Sequence, residues 1–283
     1  MKIIFTKMNG AGNDFVVIDN RCSVKSGQWT VEQVREICSR NNAITKGCDQ
    51  LLVLEKSQKA DVFMRIYNAD GGQVDACGNA TRCIADMLYK ELGRLPVTIE
   101  TNVAILSGLK KEKIEDAERI LVDMGEPKFD WQDIPLAMPI EQASTKIKEK
   151  FELENPIFVS MGNPHVVFFM DELPSDKEVA IIGSQIENFT EVFPERVNVS
   201  FAKLLSDDNV IYAKVWERGA GLTKACGTGA CAMLAAANKY NDYTNNSWVW
   251  FENSKESVCA HIENNHILLG GKVEVEFEDL IEL

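Results

Sequence analysis

Two short segments place a thiol where thiol chemistry is possible. Residues 75–85 read DACGNATRCIA and residues 224–234 read KACGTGACAML. In each, a cysteine follows Ala and precedes Gly where a helix should start. The free N–H groups of a helix start carry positive partial charge. A thiol held there loses its proton more easily. The effect reaches ~2 kcal/mol, or about 1.5 pKa units, and moves an ordinary thiol from ~8.5 toward ~7. Gly78 and Gly227 let a ligand approach the main chain closely, and the same N–H groups suit a carboxylate. Two such thiols acting on one carbon from opposite faces would invert a stereocentre. One thiolate would remove a proton and the other thiol would return one. Like-charge repulsion favours one thiolate with one thiol, so the pair would titrate as a coupled system. Cys22, Cys38, Cys48, Cys83, Cys231 and Cys259 lack this context and read as structural.

The elements that must carry the two cysteines form an internal repeat. GNDFVVI starts at Gly12 and GNPHVVF at Gly162, an offset of 150; Cys77 and Cys226 are 149 apart. The asparagine of each Gly-Asn precedes its cysteine by 64 positions in one half (Asn13) and 63 in the other (Asn163). Runs rich in β-branched and aromatic residues read as strands: IIFTKM, DFVVID, QLLVLEK, VFMRIYN and PVTIET, then PIFVSM, HVVFFM, RVNVSFAKL, VIYAKVWE and WVWFE. A helix follows each cysteine. In the first, Ile84, Met87, Leu88 and Leu92 share a face and Gly93 stands at the C-cap; the second is alanine-rich and apolar nearly all round. A further helix begins at Thr30, with Gln33 completing a capping box. Gly and Pro interrupt the pattern at 123–135, which marks the linker.

The expected fold is α+β. Two homologous, pseudo-symmetric halves each wrap a curved, mostly antiparallel sheet around a central helix, with the active site in the cleft between them. The N-terminal half spans 1–125, joined by a C-terminal strand at 270–283; the C-terminal half spans 126–269.

Bulk properties exclude other classes. The net charge of −13 at pH 7 opposes nucleic acid or anionic membrane as a partner. Apolar runs near the N-terminus are cut by Lys7, Asn9, Asn13 and Asp14, which is unlike a secretory signal. No run approaches the ~20 apolar residues of a membrane span. The chain therefore reads as cytoplasmic, and its eight cysteines as reduced thiols. There is no C-x-x-C pair and there are only three histidines, so no metal site is expected.

The segments MNGAGNDFVVID, GCDQLLV, YNADGGQVDACGNATRC, GNPHVVFF, RVNVSF and ERGAGLTKACGTGACA resemble the signature segments of diaminopimelate epimerases, in that family's order and spacing, over residues 1 to about 235. The resemblance implies an isomerase without cofactor that interconverts LL- and meso-diaminopimelate for lysine and peptidoglycan precursors. It also implies a homodimer acting on a small-molecule substrate. It assigns Cys77 and Cys226 as acid and base. Gly78, Asn79, Gly227 and Thr228 would hold the carboxylate at the reacting centre. Asn13, Gln50, Asn68, Asn163, Asn198, Glu217 and Arg218 would bind the rest of the substrate, and His165 and Glu217 would tune the cysteines. Arg218 offers a fork to a carboxylate, and Glu217 an acceptor to an ammonium. Ala80-Thr81, Leu222 and Cys48 depart from the commonest family pattern. Related proline or hydroxyproline racemases, and a thiol redox protein, are the alternative readings.

Overall fold

A computed structural model describes residues 2–22, 29–75, 77–114, 117–205, 209–241, 243, 246–252 and 256–282. The chain divides into two compact units, Met1–Asp123 with Gly270–Leu283, and Met124–Leu269.

The first unit contains β1 (Lys2–Gly10), β2 (Asn13–Asp19), α1 (Val31–Cys38), β3 (Gln50–Glu55), β4 (Val62–Asn68), β5 (Gln73–Val74), α2 (Gly78–Leu92), β6 (Val97–Glu100), β7 (Ile105–Ile114) and β8 (Ala117–Asp123). The second contains α3 (Ile140–Phe151), β9 (Ile157–Ser160), β10 (Pro164–Phe169), α4 (Asp176–Glu187), β11 (Asn198–Leu205), β12 (Val210–Glu217), β13 (Gly221–Leu222), α5 (Gly227–Asn241), β14 (Asn246–Phe251), β15 (Glu256–Glu263) and β16 (His266–Gly271). The last strand, β17 (Val273–Glu282), runs antiparallel to β1 and so lies in the first unit.

The repeat read in the sequence is a repeat of strand pairing. In the first unit, β1–β2 is antiparallel, β2–β3 parallel, β3–β4 and β4–β5 antiparallel, β4–β6 parallel and β6–β7 antiparallel. In the second, β9–β10, β10–β11, β11–β12, β12–β13, β12–β14 and β14–β15 follow the same series. Parallel neighbours need a long crossover. Here each crossover carries a helix: α1 and α2 in one unit, α4 and α5 in the other.

The central helix of each unit is the one that follows its cysteine. α2 packs on β1, β6, β7, β8 and β17; α5 packs on β9, β10, β11, β12, β14 and β15. The apolar residues of α5 explain this depth: Ala230 to Ala237 are all buried. The expected stripe on α2 needs correction. Leu92 is exposed and Met87 partly so, whereas Gly78 to Ala85 are buried without interruption. The first two turns of α2 are therefore enclosed all round, and only its last turns are amphipathic. β1 comes so close that a Cβ on Gly10 would sit 3.0 Å from the Asn79 carbonyl and 2.9 Å from Cys83 Sγ. Gly93 caps α2 at φ 64°, and Thr30 and Gln33 form the capping box of α1.

Two helices were not read in the sequence. α4 has its own capping box, Ser175 with Glu178. Its Gly183 obscured the helical signal and is needed because Trp216 lies 2.6 Å from where a Cβ would be. α3 buries Ala143 and Ile147, one turn apart, with Ile140 and Phe151 packed partly buried on the same core and the rest polar.

Candidate active site

Each unit builds one half-site by the same construction: the starts of its second and third strands, the end of its fourth, and the start of its central helix. In the first unit, Cys77 is the N-cap of α2, with extended backbone (φ −149°, ψ 113°) and a partly exposed side chain. Its carbonyl accepts from Thr81 N and Thr81 Oγ1, both at 2.9 Å. Asn79 Nδ2 donates to Asn13 Oδ1 at 2.5 Å, tying the helix start to β2. Gln50 opens β3 opposite Asn68, which closes β4, and Gln50 Nε2 donates to Asn68 Oδ1 at 2.9 Å. Asn13 and Asn79 thus meet at the helix start beside Cys77, and Gln50 and Asn68 form a second pair at facing strand ends. Ala76 lies outside the described residues.

In the second unit, Cys226 precedes α5 and is 4% exposed. Gly229 N–H donates to its Sγ at 3.3 Å, and Thr228 Oγ1 lies 3.6 Å from it. Asn163 Nδ2 donates to Thr228 Oγ1 at 3.3 Å. His165 pairs in register with Asn198, and its Nε2 lies 3.0 Å from Asn163 Oδ1. Since that oxygen only accepts, the imidazole proton is on Nε2. Full burial pushes the His165 pKa down to about 3, so the ring is neutral. Asn163 therefore presents its NH2 to the Thr228 oxygen, which leaves the Thr228 hydroxyl proton available to Cys226. His165 reaches Cys226 through this chain of amide and hydroxyl.

Glu217 closes β12; its carboxylate accepts from the Thr223 hydroxyl and from the Cys226 thiol. Burial raises the Glu217 pKa. Cys226 itself contradicts the sequence expectation of an acidified thiol. Burial, and then the Glu217 charge, hold it well above the ordinary thiol value, despite the Thr228 hydroxyl and Gly229 N–H. A helix start is worth at most ~2 kcal/mol, and desolvation of a buried thiolate exceeds it here.

Asn198 is occupied by the main chain: its Nδ2 donates to Pro164 O and its Oδ1 accepts from Arg218 N, each at 2.9 Å. It fixes the Arg218 backbone, while Arg218 Nη1 donates to Glu195 O at 2.9 Å. Thr223 and the charged neighbours of Asn13 (Lys7, Arg40 and Asp49) had escaped the sequence reading. Their signal was only proximity to a motif, since the bonds that recruit them are tertiary. Cys22 is exposed rather than buried, whereas Cys38 and Cys48 are a buried pair with sulfurs 3.3 Å apart. No group of three or more metal-ligating side chains occurs among the described residues.

Paired α+β units, each centred on a helix, define a class of duplicated fold shared with solved proteins of several names. A probable proline racemase from Agrobacterium radiobacter matches with TM-score 0.65 at 13% identity, over 99% of this chain and 93% of that one. A Bacillus anthracis phenazine biosynthesis protein of the PhzF family matches with TM-score 0.64 at 15% identity over 100% of both. Sequence narrows the class. The family model for diaminopimelate epimerase matches residues 5–130 and 157–277, and the chain belongs to that family. The diaminopimelate epimerase of Acidiphilium cryptum is 40% identical, across 97% of this chain and 94% of that one. That of Pelagibacter ubique is 42% identical, across 85% of each.

Proposed function

We propose that the protein interconverts LL- and meso-diaminopimelate by a two-base mechanism without cofactor, supplying lysine and peptidoglycan precursors. The observation that carries this reading is the recurrence of a Cys-Gly pair at the head of the central helix in both units, in a chain of the diaminopimelate epimerase family.

Catalysis uses one cysteine from each unit. A thiolate removes the α-proton, and the other thiol delivers a proton to the opposite face of the carbon. The roles exchange when the reaction runs backward. Glu217 and the His165–Asn163–Thr228 chain oppose each other at Cys226. The carboxylate favours the thiol, and the hydroxyl favours the thiolate, so the group can pass between both forms in a cycle. Helix-start N–H groups at Gly78, Asn79, Gly227 and Thr228 receive the reacting carboxylate and the negative charge that develops as the carbanion forms. Asn13, Gln50, Asn68, Asn163 and Asn198 supply amide contacts, directly or by holding neighbours. Arg218 addresses the carboxylate of the remote end, while Glu217, held at Cys226, serves the reacting centre instead of the remote ammonium.

The protein works in the cytoplasm as a homodimer. No helix among the described residues is long and apolar enough to cross a membrane. The exposed Ile4 and Leu280 stand opposite each other on β1 and β17 and offer an apolar patch for a second copy. Sedimentation at micromolar concentration tests the dimer.

Incubating reduced protein with LL-diaminopimelate in heavy water tests the reaction. Loss of the α-proton signal and growth of the meso isomer are expected, with no inversion by Cys77→Ala or Cys226→Ala. Equal or faster turnover of free proline would replace diaminopimelate as the substrate. Absence of isomerisation with any amino acid, alongside reversible Cys77–Cys226 oxidation, would favour a redox role.

A further inference from the structure

We propose that Asp49 is a positioning residue, which sets the direction of the Asn13 amide and, through it, that of Asn79 beside Cys77. The proposal rests on the site reading above and adds to it a charged cluster that has no counterpart among the residues assigned so far.

Asp49 lies just before β3 and is held from several sides. Its N–H donates to Asp14 O at 3.0 Å and to Asp14 Oδ1 at 3.1 Å. Arg40 Nη2 donates to its Oδ1 at 2.6 Å and to Asp14 Oδ1 at 2.8 Å. Arg40 Nη1 and Lys7 Nζ both reach Asp14 Oδ2, at 2.5 Å and 2.6 Å. Lys7 is 2% exposed and also donates to Gly47 O. Two cations thus face two carboxylates, and the cluster is neutral as a whole. The remaining Asp49 oxygen, Oδ2, accepts from Asp14 N and from Asn13 Nδ2, each at 3.2 Å.

The consequence follows from donor and acceptor rules alone. An ionised carboxylate can only accept. Asn13 must therefore turn its NH2 toward Asp49 and its oxygen away, and that oxygen meets Asn79 Nδ2. Asn79 in turn is left with its oxygen as the free end of its amide. That atom is buried with no hydrogen-bond partner in the protein, on a residue 2% exposed. Left alone, it is an unsatisfied acceptor, and a donor on a bound ligand would relieve it.

The second unit fixes its equivalent asparagine in the opposite sense. There His165 donates to Asn163 Oδ1, so Asn163 offers NH2 to the helix-start residue Thr228. A carboxylate before β3 in one unit and a neutral imidazole on β10 in the other give the two helix starts opposite polarity. Asn79 is left offering a C=O and Thr228 an O–H. Two duplicated half-sites thereby become chemically distinct without any change in the cysteines.

Asp49→Asn keeps the shape but adds a donor, so Asn13 is free to turn over. The expected result is a drop of tenfold or more in kcat/KM for diaminopimelate epimerisation, with an unfolding temperature close to wild type. In the Asn13→Ala background, the same substitution should produce no further loss. Independently of activity, the side-chain NH2 signal of Asn79 in a nitrogen-15 NMR spectrum, identified by its absence in Asn79→Ala, should shift in Asp49→Asn. Should Asp49→Asn fold poorly, Asp49→Ala, which removes the acceptor that Asn13 faces, should move the same signal. An unmoved Asn79 signal, or additive losses in the double variant, would overturn the proposal. Wild-type protein inert toward diaminopimelate would instead sink the proposed function, and the NMR signal would still decide the role of Asp49.

Discussion

At the scale of single residues, the two cysteines look alike in sequence and differ in the structure. Cys226 carries a carboxylate partner and complete burial; Cys77 is partly exposed at its helix cap. Glu217→Gln removes the charge that opposes Cys226 ionisation, so the thiol should titrate at lower pH. A thiolate absorbance titration of Glu217→Gln, read against Glu217→Gln/Cys226→Ser, checks this; an unchanged midpoint would show that burial alone sets the value. Replacement of either Cys77 or Cys226 by Ser should reduce kcat by about 10²–10⁴, the range for a lost acid–base group, as measured in the heavy-water assay. The cysteines, the helix-start glycines and the Gly-Asn turns were legible in the sequence because each is a short motif with a stated local role. The raised thiol was not, because burial of Cys226 and the approach of Glu217 come from β12 folding beside α5. Nor was Asp49, whose partner Arg40 is nine positions away in chain but joined to it only through the turn after α1.

At the scale of elements, ten of the strands rich in β-branched and aromatic residues and the last strand were legible, whereas β7, β8, β15 and β16 were not read; the duplication was legible because the offsets of Asn13/Asn163 and Cys77/Cys226 survive divergence of everything between them. Helices α3 and α4 were missed although each carried a signal. α3 repeats Ile140, Ala143, Ile147 and Phe151 at helical spacing between polar residues, and α4 carries a glycine demanded by Trp216 rather than by its own backbone. Its capping box was available as a signal. Ser175→Ala should therefore cost about 1 kcal/mol, within the usual span of a lost N-cap, read from urea unfolding. Gly183→Ala would gain helix propensity of ~1 kcal/mol on an exposed helix, yet here the Trp216 ring must shift, so net destabilisation is expected. A stabilised Gly183→Ala protein would mean that Trp216 yields freely.

At the scale of the whole molecule, the buried titratable groups predict a stability curve with two falling edges. His165 binds no proton in the folded state until about pH 3, whereas an unfolded histidine binds one below about 6.5. Its contribution is present above 6.5 and is lost as pH falls toward 3, by up to ~1.4 kcal/mol per pH unit. Cys83, raised to about 12 by burial, and Cys226, raised likewise, act on the other side. Their folded forms hold protons that the unfolded chain releases above about pH 9, so stability should fall as pH rises beyond that value. Urea midpoints between pH 4 and pH 10.5 test both edges. His165→Gln should flatten the acidic one and Cys83→Ala the basic one.

The pairing of β17 with β1 also governs the order in which the molecule can be completed during synthesis. Its register runs from Lys2 opposite Glu282 to Gly10 opposite Val273. The second unit is one continuous stretch of chain, whereas the first needs its earliest and latest strands together. On a ribosome the unit bearing Cys226 has all its strands before the unit bearing Cys77, although the latter is made first. Residues 2–123 must wait, with β1 lacking one neighbour, until the last strand emerges. An exposed strand edge invites wrong pairing, and charge along β17, with glutamates at 274, 276, 278 and 282, disfavours early association between nascent copies.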